Sequence, residues 1–252
     1  MGMHIRRCIA GLVGLIFAFS AAQAQAADIK VFSSTALKAV LDELGPQFEN
    51  ATGNKLVFSI GASAAMKSKI DQGAAFDVAI VTPPLLKALA AAGKVDPATS
   101  AVIARSALGV SVRAGAPKPD VGTADALKRT LLDAKSIGFN GQGASRAGIE
   151  AMFAKLGIAE DVKPKIKLLQ TSAPVAVASG EVEFALSPIS EVVAVSGAQL
   201  AGPVPADFQS YLVLSGAVAA DSKHADVAKA LIKFLTAPSA AAVLKAKGMA
   251  PG

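Results

Sequence analysis

The sequence predicts a mixed α/β protein of two lobes, each a mainly parallel sheet flanked by helices. Short apolar runs alternate with amphipathic segments along nearly the whole chain, a pattern typical of parallel strands joined by helices. About 226 residues follow the first 26, which is enough for two domains of ordinary size. Two longer apolar stretches, 107–112 and 209–218, divide the pattern and predict strands that carry the chain into the second lobe and back.

The first 26 residues are predicted to be an export signal. Arg6 and Arg7 provide a positive start, Ile9–Phe19 is a short apolar run, and Ala22-Gln23-Ala24 or Ala24-Gln25-Ala26 supplies a small-x-small cleavage pattern. The apolar run is shorter than the roughly 20 residues that span a bilayer. We therefore expect a soluble periplasmic product that begins near residue 27.

The first predicted lobe comprises residues 27–108 and 212–252. Its strands are predicted at Ile29–Phe32, Lys55–Ile60 and Asp77–Val81, and its helices at 37–48, 64–72, from Pro83 onward and at 227–235. Apolar residues recur at helical spacing between Leu37 and Phe48. Gly45-Pro46 lies inside this stripe and predicts a turn or kink, because proline cannot donate the helical hydrogen bond.

The second predicted lobe comprises residues 109–211. Its strands are predicted at Ser136–Asn140, Ile166–Leu169 and Glu183–Leu186, and its helices at Arg146–Leu156 and Pro174–Ser179. We expect the two crossing strands, near 109–112 and 211–213, to form a hinge between the lobes.

Composition argues against several functional classes. Removal of Arg6 and Arg7 with the signal lowers the net charge from +6 to +4, and no Lys/Arg run accompanies it, so a nucleic-acid partner is not expected. The one cysteine, Cys8, lies in the predicted signal, which leaves no disulfide or thiol chemistry. Tryptophan is absent and Tyr211 is the one tyrosine, which disfavours a carbohydrate ligand, since sugars stack on such rings.

Enzymatic and regulatory readings are also disfavoured. A serine hydrolase would need a base, and His224, the one histidine after the predicted signal, stands at a polar helix start with no GxSxG or SxxK motif elsewhere. A ligand-sensing transcription regulator would need a DNA-binding segment where the export signal stands. We expect neither an enzyme, nor a cofactor, nor a protein-coordinated metal.

Four turns share one local pattern, in which a strand is followed by small hydroxyl or glycine residues and then by a helix. They are Ser33-Ser34-Thr35, Gly61-Ala62-Ser63, Gly141-Gln142-Gly143-Ala144-Ser145 and Thr171-Ser172-Ala173. A helix start leaves backbone N–H groups unpaired and partly positive, so it attracts an anion. Each serine or threonine could equally be an ordinary helix N-cap. Because each predicted lobe contains two such turns, we expect them to face one shared cleft.

Arg146 is a separate candidate because it follows the second-lobe glycine loop at the beginning of a helix. A cation is unfavourable at a helix start unless an anion compensates it. A carboxylate clamped by the guanidinium would supply that anion, whereas the alternative is a solvent-facing arginine.

Three segments carry a resemblance to a known family. They read VFSSTALKAVLDELGPQFENATG, SIGASAAMKSKIDQGAAFDVAIV and SRAGIEAMFAKLGI. In this order they resemble the molybdate-binding periplasmic proteins of ABC importers. The resemblance implies a type II periplasmic-binding fold whose two lobes close on a ligand about the crossing strands, with an inner-membrane permease and its ATPase as partners. We expect the protein to be a monomer. It also implies oxyanion contacts from hydroxyls and backbone N–H groups at the helix starts.

The turns and the resemblance together predict the ligand-binding residues. They are Ser33, Ser34, Thr35, Ala62, Ser63, Ser145, Arg146, Ser172, Ala173 and Ser187. The sequence departs from the family at Ala36, where a serine is usual, at Leu186-Ser187, where a tyrosine is common, and at Arg146, where a small residue or proline stands. A molybdate-like or tungstate-like oxyanion is the leading ligand. A small organic carboxylate held by Arg146 is the alternative.

Overall fold

The computed structural model describes residues 26–252. The predicted export signal, residues 1–26, therefore lies outside the described residues except for its last position. Among residues 26–252, no single helix has the length and apolar character to cross a membrane, and one bent pair, Ala225–Thr236 with Pro238–Ala246, passes on length and composition alone.

Strands and helices alternate as the sequence predicts. The strands are β1 Asp28–Ser34, β2 Lys55–Gly61, β3 Val78–Val81, β4 Ala101–Arg113, β5 Ile137–Asn140, β6 Ile166–Leu169, β7 Phe184–Pro188, β8 Ala198–Pro203, β9 Tyr211–Val218 and β10 Ala250–Pro251. The helices are α1 Lys38–Thr52, α2 Ser63–Asp71, α3 Pro83–Ala91, α4 Ala124–Asp133, α5 Arg146–Leu156, α6 Ala159–Val162, α7 Ala173–Ser179, α8 Ile189–Val193, α9 Ala225–Thr236 and α10 Ala241–Ala246. The mixed α/β class is confirmed. The sequence did not predict α4, β8 or the short elements α6, α8, α10 and β10.

The strands form two sheets that share β4. In the first sheet the order is β2-β1-β3-β9-β4, with β1 parallel to β2 and β3 and with β9 antiparallel to both of its neighbours. In the second sheet β4 is followed by β7, β5 and β6, of which β5 is parallel to both neighbours. Residues 101–107 of β4 pair with β9, and residues 108–111 pair with β7. Strand β4 therefore carries the chain from one sheet into the other.

Separate apolar clusters cover the two sheets. The clusters around the first sheet draw on residues 29–104 and 212–249, and those around the second draw on residues 108–204. Phe48 packs on Phe234 in the first group, whereas Phe139 packs on Phe153 in the second. The lobe boundaries stay a prediction, and Leu108, assigned to the first lobe by the sequence, packs in the second group.

Helix α1 continues through the proline at which a turn or kink was predicted. The apolar side chains that α1 buries are Val40, Leu41, Leu44 and Phe48. Pro46 lies inside the helix, which continues to Thr52, so the predicted turn is absent from this described segment. Burial of the stripe offsets the roughly 3 kcal/mol that proline costs a helix interior. Gly45 brings the helix close to β2, since a Cβ there would stand 3.2 Å from the Phe58 ring.

Candidate functional site

The strand–turn–helix segments of both sheets line one cavity of about 230 Å³. It lies where β1, β2, β5, β6 and β7 end, with β9 at one side. Its lining residues are Ser34, Thr35, Ala62, Ser63, Asn140, Gly143, Ala144, Ser145, Gln170, Thr171, Ser172, Ala173, Leu186, Ser187, Pro188, Glu191 and Leu212. We call it the interlobe cavity. The carboxyl ends of parallel strands therefore converge on it from both sheets, as expected for a ligand site in an open α/β fold.

The structure brings eight of the ten residues predicted from the sequence to the interlobe cavity. They are Ser34, Thr35, Ala62, Ser63, Ser145, Ser172, Ala173 and Ser187. Ser33 is not among them, because successive side chains of a strand point to opposite faces. It is fully buried, and its hydroxyl lies 3.4 Å from the carbonyl oxygen of Ser34.

Arg146 is the second predicted residue that does not line the interlobe cavity. Its Nε donates to the carboxylate of Glu150 at 2.8 Å, and its guanidinium donates to the carbonyl oxygen of Gly141 at 3.0 Å. The pair with Glu150 joins residues one helical turn apart on an exposed face of α5. Glu150 and the carbonyl group of Gly141 thus take the place of the anionic ligand that was predicted to compensate Arg146.

The hydroxyls at the helix starts do not cap their own helices. Ser34, Ser145 and Ser172 each occupy an N-cap position, and within the described chain none of the three makes a side-chain capping hydrogen bond. By contrast, Thr123 accepts a hydrogen bond from the N–H of Ala126 at 3.2 Å and caps α4 in the ordinary way. The ordinary N-cap role that was the alternative for the hydroxyl-rich turns is therefore not taken by these three serines, whose hydroxyls stay available to the cavity.

Ser63 provides the sharpest polar feature of the cavity. It begins α2, it is 6% exposed, and its hydroxyl oxygen is buried with no hydrogen-bond partner among the described residues. A buried hydroxyl without a partner costs about 1–3 kcal/mol relative to its hydrated state. An acceptor within reach of this hydroxyl would remove that cost.

Asn140 joins the two second-lobe turns. Its side-chain amide donates to the carbonyl oxygen of Thr171 at 3.3 Å, and its side-chain oxygen accepts a hydrogen bond from the N–H of Gln142 at 2.8 Å. This single side chain therefore fixes the glycine loop relative to the turn that precedes α7. Asn140 was predicted only as the end of a strand, although an Asx turn before a glycine was a usable signal of its role.

Glu191 is the lining residue that most changes the electrostatics. It is the one ionisable side chain among the residues that line the interlobe cavity within the described chain, where Lys, Arg and His are absent. Burial raises the pKa of the Glu191 carboxyl from its ordinary 4.5 to about 7. Glu191 was not among the predicted site residues, because α8 has five residues, too few for a periodic pattern.

A second chamber of about 560 Å³ adjoins the interlobe cavity and shares Ser63, Ala144, Ser145 and Leu212 with it. Its further lining includes Thr82, Pro83, Gln142 and the exposed Tyr211. The cleft is therefore larger than a single tetrahedral anion requires. In the described residues no cluster of three or more His, Cys, Asp or Glu could hold a metal ion.

Comparisons with known proteins identify the family. Residues 29–250 match the family model described as bacterial extracellular solute-binding protein. The chain is 28% identical over 229 residues to an aconitate isomerase from Pseudomonas sp., which covers 88% of this chain and 87% of that protein. It is 27% identical over 265 residues to the molybdate-binding protein ModA of Azotobacter vinelandii, which covers 98% of both chains.

A solved structure shares the fold. The periplasmic molybdate-binding protein of Azotobacter vinelandii superimposes with a TM-score of 0.76 at 21% identity, and the match covers 89% of this chain and 99% of that chain. The predicted resemblance to molybdate-binding periplasmic proteins and the predicted fold class are thereby confirmed. The chain belongs to the family of bacterial extracellular solute-binding proteins.

Proposed function

We propose that the protein captures a small anion in the interlobe cavity and delivers it to an importer in the inner membrane. The observation that carries this proposal is that serine hydroxyls from both sheets, none of which caps its own helix, converge on one cavity. Ser34 and Ser63 face it from the first sheet, and Ser145 and Ser172 face it from the second. Helix starts at these turns add unpaired N–H groups with a partial positive charge.

Molybdate or tungstate is the leading ligand. Neutral hydroxyl and N–H donors hold a tetrahedral dianion without a fixed cation, and the lining residues provide such donors on several sides. The relatives named for molybdate support the same ligand class. A small organic carboxylate remains the alternative, but the same turns would hold it, since Arg146 is engaged by Glu150 and Gly141.

A calorimetric titration separates these ligands. Refolded, ligand-free protein from residue 27 onward is titrated with molybdate, tungstate, sulfate, phosphate and a panel of di- and tricarboxylates. Micromolar or tighter binding of molybdate or tungstate is expected. Tight binding of a carboxylate without binding of molybdate would reverse the ranking, and no binding by any anion would overturn anion capture.

The family and the N-terminal pattern support a proposal for the location and the partners. We propose export to the periplasm with cleavage near residue 27, followed by release of the ligand to an ABC permease and its ATPase, with the monomer as the acting form. N-terminal sequencing of protein from a periplasmic fraction tests the first step. A mature chain that begins at Met1 would contradict it.

An isomerase is the second candidate function, because one relative is named aconitate isomerase and Glu191 lines the same cavity. Isomerisation leaves the molecular formula unchanged, so one carboxylate that removes a proton and returns it to another carbon suffices. The substrate class is an unsaturated tricarboxylate. Proton NMR of cis- and trans-aconitate with the protein supports catalysis if the isomers interconvert and Glu191→Gln abolishes the interconversion. Unchanged spectra would mean that the protein binds aconitate at most and does not isomerise it.

A further inference from the structure

Glu191 lies in an anion-attracting cavity without a cation to balance it. It is the third residue of α8 and lines the cavity beside Ser172 and Ser187. Within residues 26–252, no hydrogen bond or ion pair connects its carboxyl to another side chain. An ionised Glu191 would thus stand uncompensated in the chamber that the surrounding turns prepare for a negative ligand.

The charged groups on the elements packed against α8 are engaged elsewhere. Helix α8 packs on β4, β7, β8 and the turn that follows β1, and the loop after α10 also reaches it. On these elements, Arg105 donates to the carbonyl oxygen of Pro251 at 3.2 Å, and Lys247 pairs with Glu43 at 2.8 Å. Arg113 lies at the far end of β4 beside Gly180. None of these cations lines the interlobe cavity in the described chain.

The protonation state of Glu191 therefore decides whether this side chain repels an anion in the cavity or donates a hydrogen bond to it. A carboxylate accepts hydrogen bonds only and repels an anion at short range, with little screening inside a cavity. A neutral carboxyl instead donates one O–H, as the serine hydroxyls around it do. Burial has already raised the pKa of this group to about 7, so the neutral form is well populated at neutral pH.

We propose that Glu191 enters the complex as a neutral acid that donates a hydrogen bond to the anion, so that the protein takes up a proton together with its ligand. This inference rests on the proposed anion capture and adds a basis for selectivity among anions. The cleft favours ligands rich in acceptor oxygens that carry no proton of their own. Anion affinity then falls at alkaline pH, in step with ionisation of the free protein.

Calorimetry in buffers of different ionisation enthalpy measures the proton uptake directly. The probes are molybdate, which is a dianion across pH 6–9, and trans-aconitate. Uptake near zero at pH 6, about half a proton at pH 7 and close to one proton at pH 8–9 is expected, with affinity that falls about tenfold per pH unit above pH 8.

Two variants fix the origin of the proton. Glu191→Gln keeps a neutral side chain with an N–H donor at every pH, so its binding takes up no proton and its affinity no longer changes with pH. Glu160→Gln, at an exposed carboxylate of α6, keeps both. Binding at pH 8 without proton uptake, or with affinity that rises with pH, would overturn the inference while leaving anion capture intact. No binding of either probe by any of the proteins at any pH would overturn this inference, and no binding of any anion of the full panel would overturn anion capture as well.

Discussion

Replacing Ser63 by alanine is expected to stabilise the free protein while weakening the complex. The Ser63 hydroxyl is buried without a partner in the described chain, so its removal relieves a desolvation penalty. The full penalty of such a group is about 1–3 kcal/mol, and lost packing offsets part of it. We expect the free energy of unfolding to rise by about 1 kcal/mol, which moves Tm upward by about 2–4 °C for a chain of this size.

The same change removes a donor from the bound anion. A hydrogen bond to a charged group contributes about 1.5–3 kcal/mol, so the dissociation constant is expected to rise at least tenfold. Urea unfolding of the free protein measures the first effect, and calorimetric titration with molybdate measures the second.

Ser190 supplies a matched control. Its hydroxyl is also buried without a partner among the described residues, but it does not line the interlobe cavity. Ser190→Ala should therefore stabilise the protein by a similar amount and leave the affinity for the anion unchanged. A Ser63→Ala variant that is less stable, or that binds as tightly as the parent, would refute the role given to this hydroxyl.

Three further predictions follow from the same residues. The pKa of Glu191 in the folded protein, about 7, exceeds its ordinary value of 4.5, so ionisation of this carboxyl destabilises the fold. Glu191→Gln should therefore match the parent in free energy of unfolding at pH 4.5 and exceed it by up to about 3 kcal/mol at pH 8. An equal difference at both pH values would contradict this. Arg146→Ala should lower the free energy of unfolding by about 0.5 kcal/mol and leave anion affinity unchanged. A tenfold loss of carboxylate affinity would instead support the hypothesis that Arg146 holds a carboxylate ligand. If the lobes close about β4, small-angle X-ray scattering should give a smaller radius of gyration at saturating anion, and an unchanged radius would argue against closure.

The sequence was informative where local rules decide the outcome. Helix α5 and strand β6 match their predicted ranges, because each has a clear apolar pattern bounded by glycine or a polar turn. The four hydroxyl-rich turns were identified from the order of strand, small residues and helix, and this order also explains why they meet at one edge of the sheets.

The direction of individual side chains was not accessible from the same rules. Arg146 stands at a helix start as predicted, but Glu150 and the Gly141 carbonyl turn its guanidinium away from the cavity. Ser33 and Ser34 are neighbours in sequence, and the alternation of the strand places the second of them at the cavity. Glu191 belongs to a single helical turn whose burial depends on β4, β7 and β8, so long-range packing sets its pKa.

The central claim is that turns from both sheets hold one anion between them. A crystal structure of the protein with molybdate, with the metal located by its anomalous scattering, tests it most directly. A single peak in the interlobe cavity is the predicted result, with oxygens of its oxyanion accepting hydrogen bonds from Ser63 on one side and Ser172 on the other. A peak outside the interlobe cavity, or an anion held by the turns of one sheet alone, would contradict it.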